Sequence, residues 1–146
     1  MPRLFTIYEA EALLPDVERW LRSAIESKKV AFQMDEQMNA LLVRINLHGG
    51  IQMNLGRASE LKSGKEQSLE RLKKALTEIE ESGCVVKDLD IGLIDFPTLL
   101  DGTEVYLCWK LGESEIGFWH GTDEGFAGRK SIDSDFIGRH RGGKTQ

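Results

Sequence analysis

The spacing of apolar residues changes at Gly83, and this change constrains the fold more than any other feature of the chain. Before Gly83, apolar residues recur at the three- or four-residue spacing of a helix face. After it, residues 84–129 alternate between apolar and polar positions and contain frequent turn residues, which is typical of an antiparallel sheet. The sequence therefore predicts an α+β fold: N-terminal antiparallel helices, forming a helical hairpin or bundle, packed on a C-terminal three- to four-stranded antiparallel β-meander.

Short-range signals mark where the helices begin and end. Thr6 and Glu9 have the spacing of a capping box, which predicts a helix start at this point. Pro15 removes a backbone donor, so it predicts either a kink or the start of a second helix. His48, which two glycines follow, is expected to close the next helical segment with a turn.

The apolar stripes of the helical half form narrow seams that suit antiparallel pairing. The seam residues are Met34, Met38, Leu41 and Ile45 in one stripe and Leu69, Leu72, Leu76 and Ile79 in another. Such a seam packs equally well against a helix of the same chain or against a second copy, because the packing physics is shared. The second alternative predicts a homo-oligomer formed through the helical half.

The strongest strand signal lies in residues 104–111, where apolar and polar residues alternate strictly. If the turn that follows is a two-residue hairpin loop, the chain returns antiparallel at once. In that register Trp109 opposes Phe118, and Leu107 opposes His120. We therefore expect an aromatic pair and a histidine on the apolar face of the sheet.

Asp101 and Gly102 form a second hairpin signal just before this strand. They predict a turn that links the strand back to another strand at 93–96.

The length of the chain predicts one domain, and the lack of a signal-peptide core predicts a cytoplasmic protein. We expect a single α+β domain over 1–131, with a helical half at 6–83, a sheet half at 84–129 and a basic, flexible tail at 132–146. No apolar run approaches the ~18 residues that span a bilayer, and the N-terminus lacks a signal-peptide core, so no membrane partner is expected. The net charge of −5 argues against nucleic-acid binding.

The polar residues of the sheet half supply the candidate site. Asp95, Glu113 and His120 form a mixed oxygen and nitrogen set that suits a divalent ion such as Zn²⁺ or Mn²⁺. Three further residues are candidates for supporting roles: Asp88, Asp90 and Arg129. Their spacing matches no established ligand motif, so the alternative is that the acids cap turns and pair with nearby cations.

The two cysteines, Cys84 and Cys108, are too few for a disulfide framework and are expected to be thiols. Cys108 lies between Leu107 and Trp109 and has no base near it in the sequence. This pattern predicts a buried, unreactive thiol rather than a nucleophile.

Several segments of the chain resemble one protein family. They read KDLDIGLIDFP at 87–97, VYLCWKLGE at 105–113, FWH at 118–120 and GFAGR at 125–129, and residues 5–15 also match. These motifs, in this order, are similar to the prokaryotic family called "domain of unknown function 2203". The resemblance implies no catalytic residue, because none is assigned in that family. It does gather several polar residues into what resembles a shared site: Asp88, Asp95, Glu113, His120 and Arg129.

Three functions remain open from the sequence, and the least favoured of them is contact of the basic tail with RNA or another polyanion. The other two depend on the helical half and on the polar residues of the sheet. The long amphipathic helical half, together with the lack of a catalytic signature, favours a non-catalytic module that binds a partner or itself. The mixed ligand set favours a divalent-metal-binding protein or a small metal-dependent hydrolase. The sequence does not decide whether the protein is an enzyme.

Overall fold

Two long helices precede a six-stranded antiparallel sheet in the computed structural model, which describes residues 3–48 and 55–142. Helix α1 spans Ile7–His48 and α2 spans Leu55–Glu81. The sheet contains β1 (Val85–Asp88), β2 (Leu93–Leu100), β3 (Thr103–Lys110), β4 (Phe118–Gly121), β5 (Lys130–Ser131) and β6 (His140–Arg141), with a short helix α3 (Ser134–Arg139) before β6. The predicted α+β fold is confirmed, with six strands in the described residues rather than three to four.

Helix α1 begins with the predicted capping box. The Thr6 hydroxyl accepts from the Glu9 amide at 3.2 Å, and the Glu9 carboxylate accepts from the Thr6 amide at 3.0 Å. The helix then continues through Pro15 as a single element rather than ending there. It ends at His48, and the turn predicted for the two following glycines lies outside the described residues. No described helix combines the length and apolar character needed to cross a bilayer.

The chain forms two compact units, one made of Met1–Leu21 with Leu76–Gln146 and the other of Arg22–Ala75. In the second unit α1 packs on α2, and a Cβ at Gly64 would lie 2.6 Å from the Met34 sulfur. Leu41, another residue of the predicted seam, is buried. The stripe that contains Met34 and Leu41 therefore packs inside a single chain, which is one of the two alternatives that the sequence leaves open.

In the first unit the strand order is β1-β2-β3-β4-β5, and β6 pairs with β2. The start of α1 packs here, since Phe5 and Phe96 meet edge to face at 5.4 Å and a Cβ at Gly92 would lie 3.3 Å from Leu21. Six consecutive residues of β2, 93–98, are buried. Both faces of this central strand are therefore covered.

The predicted pairing of β3 with β4 is wrong by one residue. Leu107 pairs with Trp119, Cys108 with Phe118, and Tyr106 with His120. The connection between the two strands is a seven-residue loop, 111–117, rather than a two-residue turn. Because side chains alternate between faces, the shift moves His120 to the face opposite that of Leu107.

His140 joins the segment 132–146, predicted to be a tail, to the start of α1. Its Nε2 accepts a hydrogen bond from the Ile7 amide at 2.9 Å, while its Nδ1 lies 2.7 Å from the Ile137 carbonyl oxygen and donates to it. The ring is buried and stacks on Phe136 at 5.4 Å. This imidazole therefore satisfies a first-turn amide of α1, a group that has no acceptor within the helix.

We expect His140→Phe to lower the free energy of unfolding by about 1–3 kcal/mol, because the Ile7 amide would be buried without an acceptor while the aromatic stacking is retained. Urea unfolding followed by circular dichroism measures this change. The surface variant Lys74→Gln is the control and should leave the midpoint in place. A midpoint for His140→Phe equal to that of the parent would contradict the capping role.

Candidate metal centre

Three neighbouring strands each contribute one polar side chain to a single buried cluster. Asp95 of β2 is the cross-strand partner of Cys108 in β3, and Cys108 is the partner of Phe118 in β4. His120 lies two residues beyond Phe118, so it points to the same face of the sheet. Asp95, Cys108 and His120 therefore form the cluster that we call the DCH site.

The donor atoms of the DCH site lie close together and away from solvent. One oxygen, one sulfur and one nitrogen, taken from Asp95, Cys108 and His120, all lie within 4.8 Å of one another. The residues are 0%, 0% and 1% exposed. Carboxylate oxygen, thiolate sulfur and imidazole nitrogen are all ligands of zinc in proteins, so the donor set is chemically suited to a metal ion.

Hydrogen bonds fix the tautomer of His120. Its Nδ1 lies 2.8 Å from the Gly121 carbonyl oxygen, which can only accept, so Nδ1 carries a hydrogen. Its Nε2 lies 3.0 Å from Asp95 Oδ1. The Asp95–His120 pair therefore holds one proton between these two atoms, as an imidazolium with a carboxylate or as a neutral imidazole with a carboxylic acid.

Burial sets the protonation chemistry of the other two members. It raises the pKa of Asp95, and the hydrogen bond and charge of His120 oppose this increase. Burial, with the nearby Asp95 charge, raises the pKa of the Cys108 thiol to about 11, and the Arg129 charge opposes this. Cys108 is therefore a thiol at neutral pH, as its sequence context predicts.

One oxygen of the cluster lacks a full hydrogen bond. Asp95 Oδ2 is buried and accepts no hydrogen bond of ordinary geometry from the described part of the chain. The Cys108 thiol also interacts with this carboxylate, but a thiol is only a weak donor. A buried acceptor left unpaired destabilises a fold by about 1–3 kcal/mol. A cation bound within the DCH site would remove this penalty, which makes the orphan oxygen the strongest local indication of a ligand.

Glu113, the remaining predicted ligand, contacts different partners. Its carboxylate accepts from the Lys110 amide at 2.7 Å and from Arg129 Nη2 at 2.7 and 3.0 Å. Arg129 in turn donates to the Cys108 carbonyl oxygen at 3.3 Å. Glu113 thus holds a guanidinium beside Cys108, whereas Asp95 and His120, the other two predicted ligands, are in direct contact.

The two predicted supporting aspartates lie where β1 meets its turn: Asp88 is the last residue of the strand and Asp90 lies in the turn. Asp88 Oδ1 accepts from the Asp90 amide at 3.0 Å and from the Ile91 amide at 3.4 Å. This is the turn-capping role that the alternative interpretation assigns to such acids. In the structure, Asp88 caps the connection between β1 and β2.

Cys108 is the member of the site that the sequence reasoning missed, although a signal was present. The hairpin turn at Asp101 and Gly102 places Leu100 opposite Thr103. Counting outward from that pair along both strands reaches Asp95 opposite Cys108. The predicted turn alone was therefore sufficient to place the thiol beside the carboxylate.

Comparison with known families supports the resemblance seen in the sequence. Residues 3–132 match the family described as "Uncharacterized conserved protein (DUF2203)", a span that includes all three residues of the DCH site. Searches of curated proteins and of solved structures found no match. The family match covers well over half of the chain, and on this basis the chain belongs to the DUF2203 family.

Proposed function

We propose that this protein binds one divalent transition-metal ion, zinc foremost, through Asp95, Cys108 and His120. The observation that carries the proposal is a buried cluster of three ligand atoms within 4.8 Å of one another, one of them from a carboxylate whose Oδ2 lacks a full hydrogen bond among the described residues. Neither a purely apolar core nor a fully satisfied polar network leaves such an atom.

The orientation of His120 supports the proposal. A ligating histidine usually donates its second ring N–H to a carbonyl or carboxylate, which fixes the ring and leaves the other nitrogen for the metal. His120 does this with the Gly121 carbonyl oxygen, so Nε2 is the nitrogen that faces the cluster. With zinc bonds of ~2.0 Å, tetrahedral ligand atoms lie about 3.3 Å apart. The present 3.0 Å separation between Nε2 and Asp95 Oδ1 needs only a small adjustment.

The thiol favours one of the two metals that the sequence suggests. Thiolate ligands favour zinc, whereas Mn²⁺ favours carboxylate and water oxygens. With Cys108 in place of Glu113 the set becomes one sulfur, one nitrogen and one oxygen. Three protein ligands also leave a fourth position open, which is the arrangement of catalytic rather than structural zinc sites. A small metal-dependent hydrolase is therefore an extension of this proposal.

We expect protein purified without a histidine tag to bind close to one zinc ion per chain, measured by elemental analysis after dialysis. Cys108→Ser should weaken binding by at least ~100-fold, since loss of a direct ligand exceeds the effect of an outer contact. Zinc at 100 to 1,000 times its dissociation constant should stabilise the parent by ~3–4 kcal/mol in thermal unfolding.

Glu113→Gln is the matched control for that experiment. It distinguishes the ligand set predicted from the sequence, which includes Glu113, from the DCH site, which has Cys108 instead. If Glu113 ligates the metal, its substitution should match the loss seen for Cys108→Ser. If the DCH site is correct, zinc stoichiometry in Glu113→Gln stays close to one. Cobalt loading of the unsubstituted protein gives a readout free of folding defects, because a sulfur-to-cobalt charge-transfer band reports thiolate coordination. Absence of that band and of zinc would end the proposal.

Metal binding should also release protons. The ion displaces the proton shared by Asp95 and His120 and the proton of the Cys108 thiol, whose pKa of about 11 keeps it protonated at neutral pH. We expect release of about two protons per zinc near pH ~7, and about one for Cys108→Ser. Calorimetric titration in buffers of different ionisation enthalpy measures this number. Binding with no proton release would show that the ion occupies another site.

A second candidate function, self-association through the helical half, is favoured by apolar side chains on the surface of the second unit. Phe32, Val43 and Leu47 of α1 are 64%, 56% and 75% exposed. Their spacings of eleven and four residues place them on one face of the helix. This face is separate from the seam that packs inside the chain, so a second copy is its proposed partner.

If this face forms a dimer, Val43→Lys with Leu47→Lys should shift the protein toward monomer in light scattering coupled to size exclusion. Two buried charges at such an interface would weaken association by at least tenfold. Tyr8→Lys, at a residue 67% exposed in the first unit, is the control and should leave the mass unchanged. A parent protein that is monomeric at high concentration would exclude this candidate.

A further inference from the structure

Arg129 carries the second of two buried side-chain atoms that lack a hydrogen-bond partner among the described residues. The first, Asp95 Oδ2, is an acceptor, whereas Arg129 Nε carries a hydrogen and can only donate. Both residues flank Cys108, one as its cross-strand partner and the other through the hydrogen bond to its carbonyl oxygen. The Cys108 thiol interacts with the Asp95 carboxylate and with the Arg129 guanidinium. Because sulfur is a weak hydrogen-bonding partner, both the Nε donor and the Oδ2 acceptor still lack a full hydrogen bond among the described residues.

The guanidinium of Arg129 is held firmly in this position. The Glu113 carboxylate accepts two bonds from Nη2, and the Phe118 and Phe126 rings lie 4.1 and 4.7 Å from the guanidinium carbon. The side chain is 11% exposed. Nη2 makes bonds to protein oxygens, whereas Nε makes none within the described part of the chain, and the guanidinium charge lies close enough to Cys108 to oppose the increase in the pKa of its thiol.

The charges of the site leave room for an anionic ligand. A zinc ion is neutralised by the Cys108 thiolate and the Asp95 carboxylate, and Arg129 is neutralised by Glu113. Another anion would therefore meet no excess of negative charge. Its oxygen would meet both an open metal position and a buried N–H that has no acceptor.

Building on the proposed metal site, we propose that Arg129 positions a small carboxylate ligand, one oxygen of which binds the fourth position of the metal and accepts a hydrogen bond from Nε. Carboxylates match the donor geometry of a guanidinium. The phenyl rings of Phe118 and Phe126 on the guanidinium favour a short acid over a bulky one. In this scheme Arg129 is a binding residue for the ligand, and Glu113 is a positioning residue that acts through it.

The test uses cobalt-loaded protein titrated with formate, the smallest carboxylate. The ligand-field bands of cobalt report a change in the fourth ligand. We expect a saturable spectral change in the parent protein and a dissociation constant at least about tenfold larger in Arg129→Lys, which keeps the charge but loses the Nε donor. The cobalt affinity of Arg129→Lys should stay within a few-fold of the cobalt affinity of the parent.

Two further variants separate binding from folding. Glu113→Gln leaves the Nε donor present but loosens its orientation, so it should weaken formate binding while retaining cobalt. Arg139→Gln removes an exposed arginine that pairs with Asp101 and Asp135, and it should bind formate as the parent does. A circular dichroism melt shows whether each variant is folded at the temperature of the titration.

The outcomes distinguish this inference from the proposed function. If cobalt binds with its sulfur band but formate leaves the spectrum unchanged, or binds equally well to Arg129→Lys, the carboxylate inference is overturned and the metal site stands. If cobalt does not bind at all, the metal site fails and the inference fails with it. An ordered water that bridges the two unpaired atoms would then be the explanation for both.

Discussion

The turn at Asp101 and Gly102 determines which side chains meet in this protein. Both residues have positive φ, 52° and 80°, which is the conformation that a two-residue hairpin requires for strands of natural twist. Because this turn contains only two residues, it fixes the pairing of β2 with β3 along eight residue pairs. Asp95 and Cys108 are opposite each other as a direct result, and a slip of one residue would place them on opposite faces.

A fixed register keeps Asp95 and Cys108 on the face opposite that of the largest apolar side chains of β2 and β3. Ile94, Phe96, Leu107 and Trp109 lie on one face and are buried. On the other face, Asp95 and Cys108 are equally buried but polar. The apolar face supplies the burial that stabilises the unit, and the polar face retains groups that burial alone penalises. Residues that lower stability in this way are expected where a fold serves a ligand.

The parts of this structure that local chemistry determines were predictable from the sequence. The capping box at Thr6 and Glu9 and the turn at Asp101 need only neighbouring residues, and both were predicted. The pairing of β3 with β4 was not predictable, because the seven-residue loop between them has no fixed geometry and its path depends on tertiary contacts. One of these contacts is the bond from the Ile116 amide to Glu11 at 3.2 Å, which spans 105 residues. The approach of Asp95 to His120 depends on the observed pairing of β4, because the predicted register placed His120 on the apolar face. The pairing of Glu113 with Arg129 also required the folded loop.

The contact between His140 and Ile7 has a consequence for synthesis of the chain. The two residues are 133 positions apart, so the first turn of α1 lacks its imidazole acceptor until the ribosome has added residue 140. Until then that amide has only water to bond, because a helix supplies no acceptor for the amides of its first turn. Closure of this bond therefore waits for a residue translated 133 positions later. It couples completion of the first turn of α1 to the folding of α3 and β6.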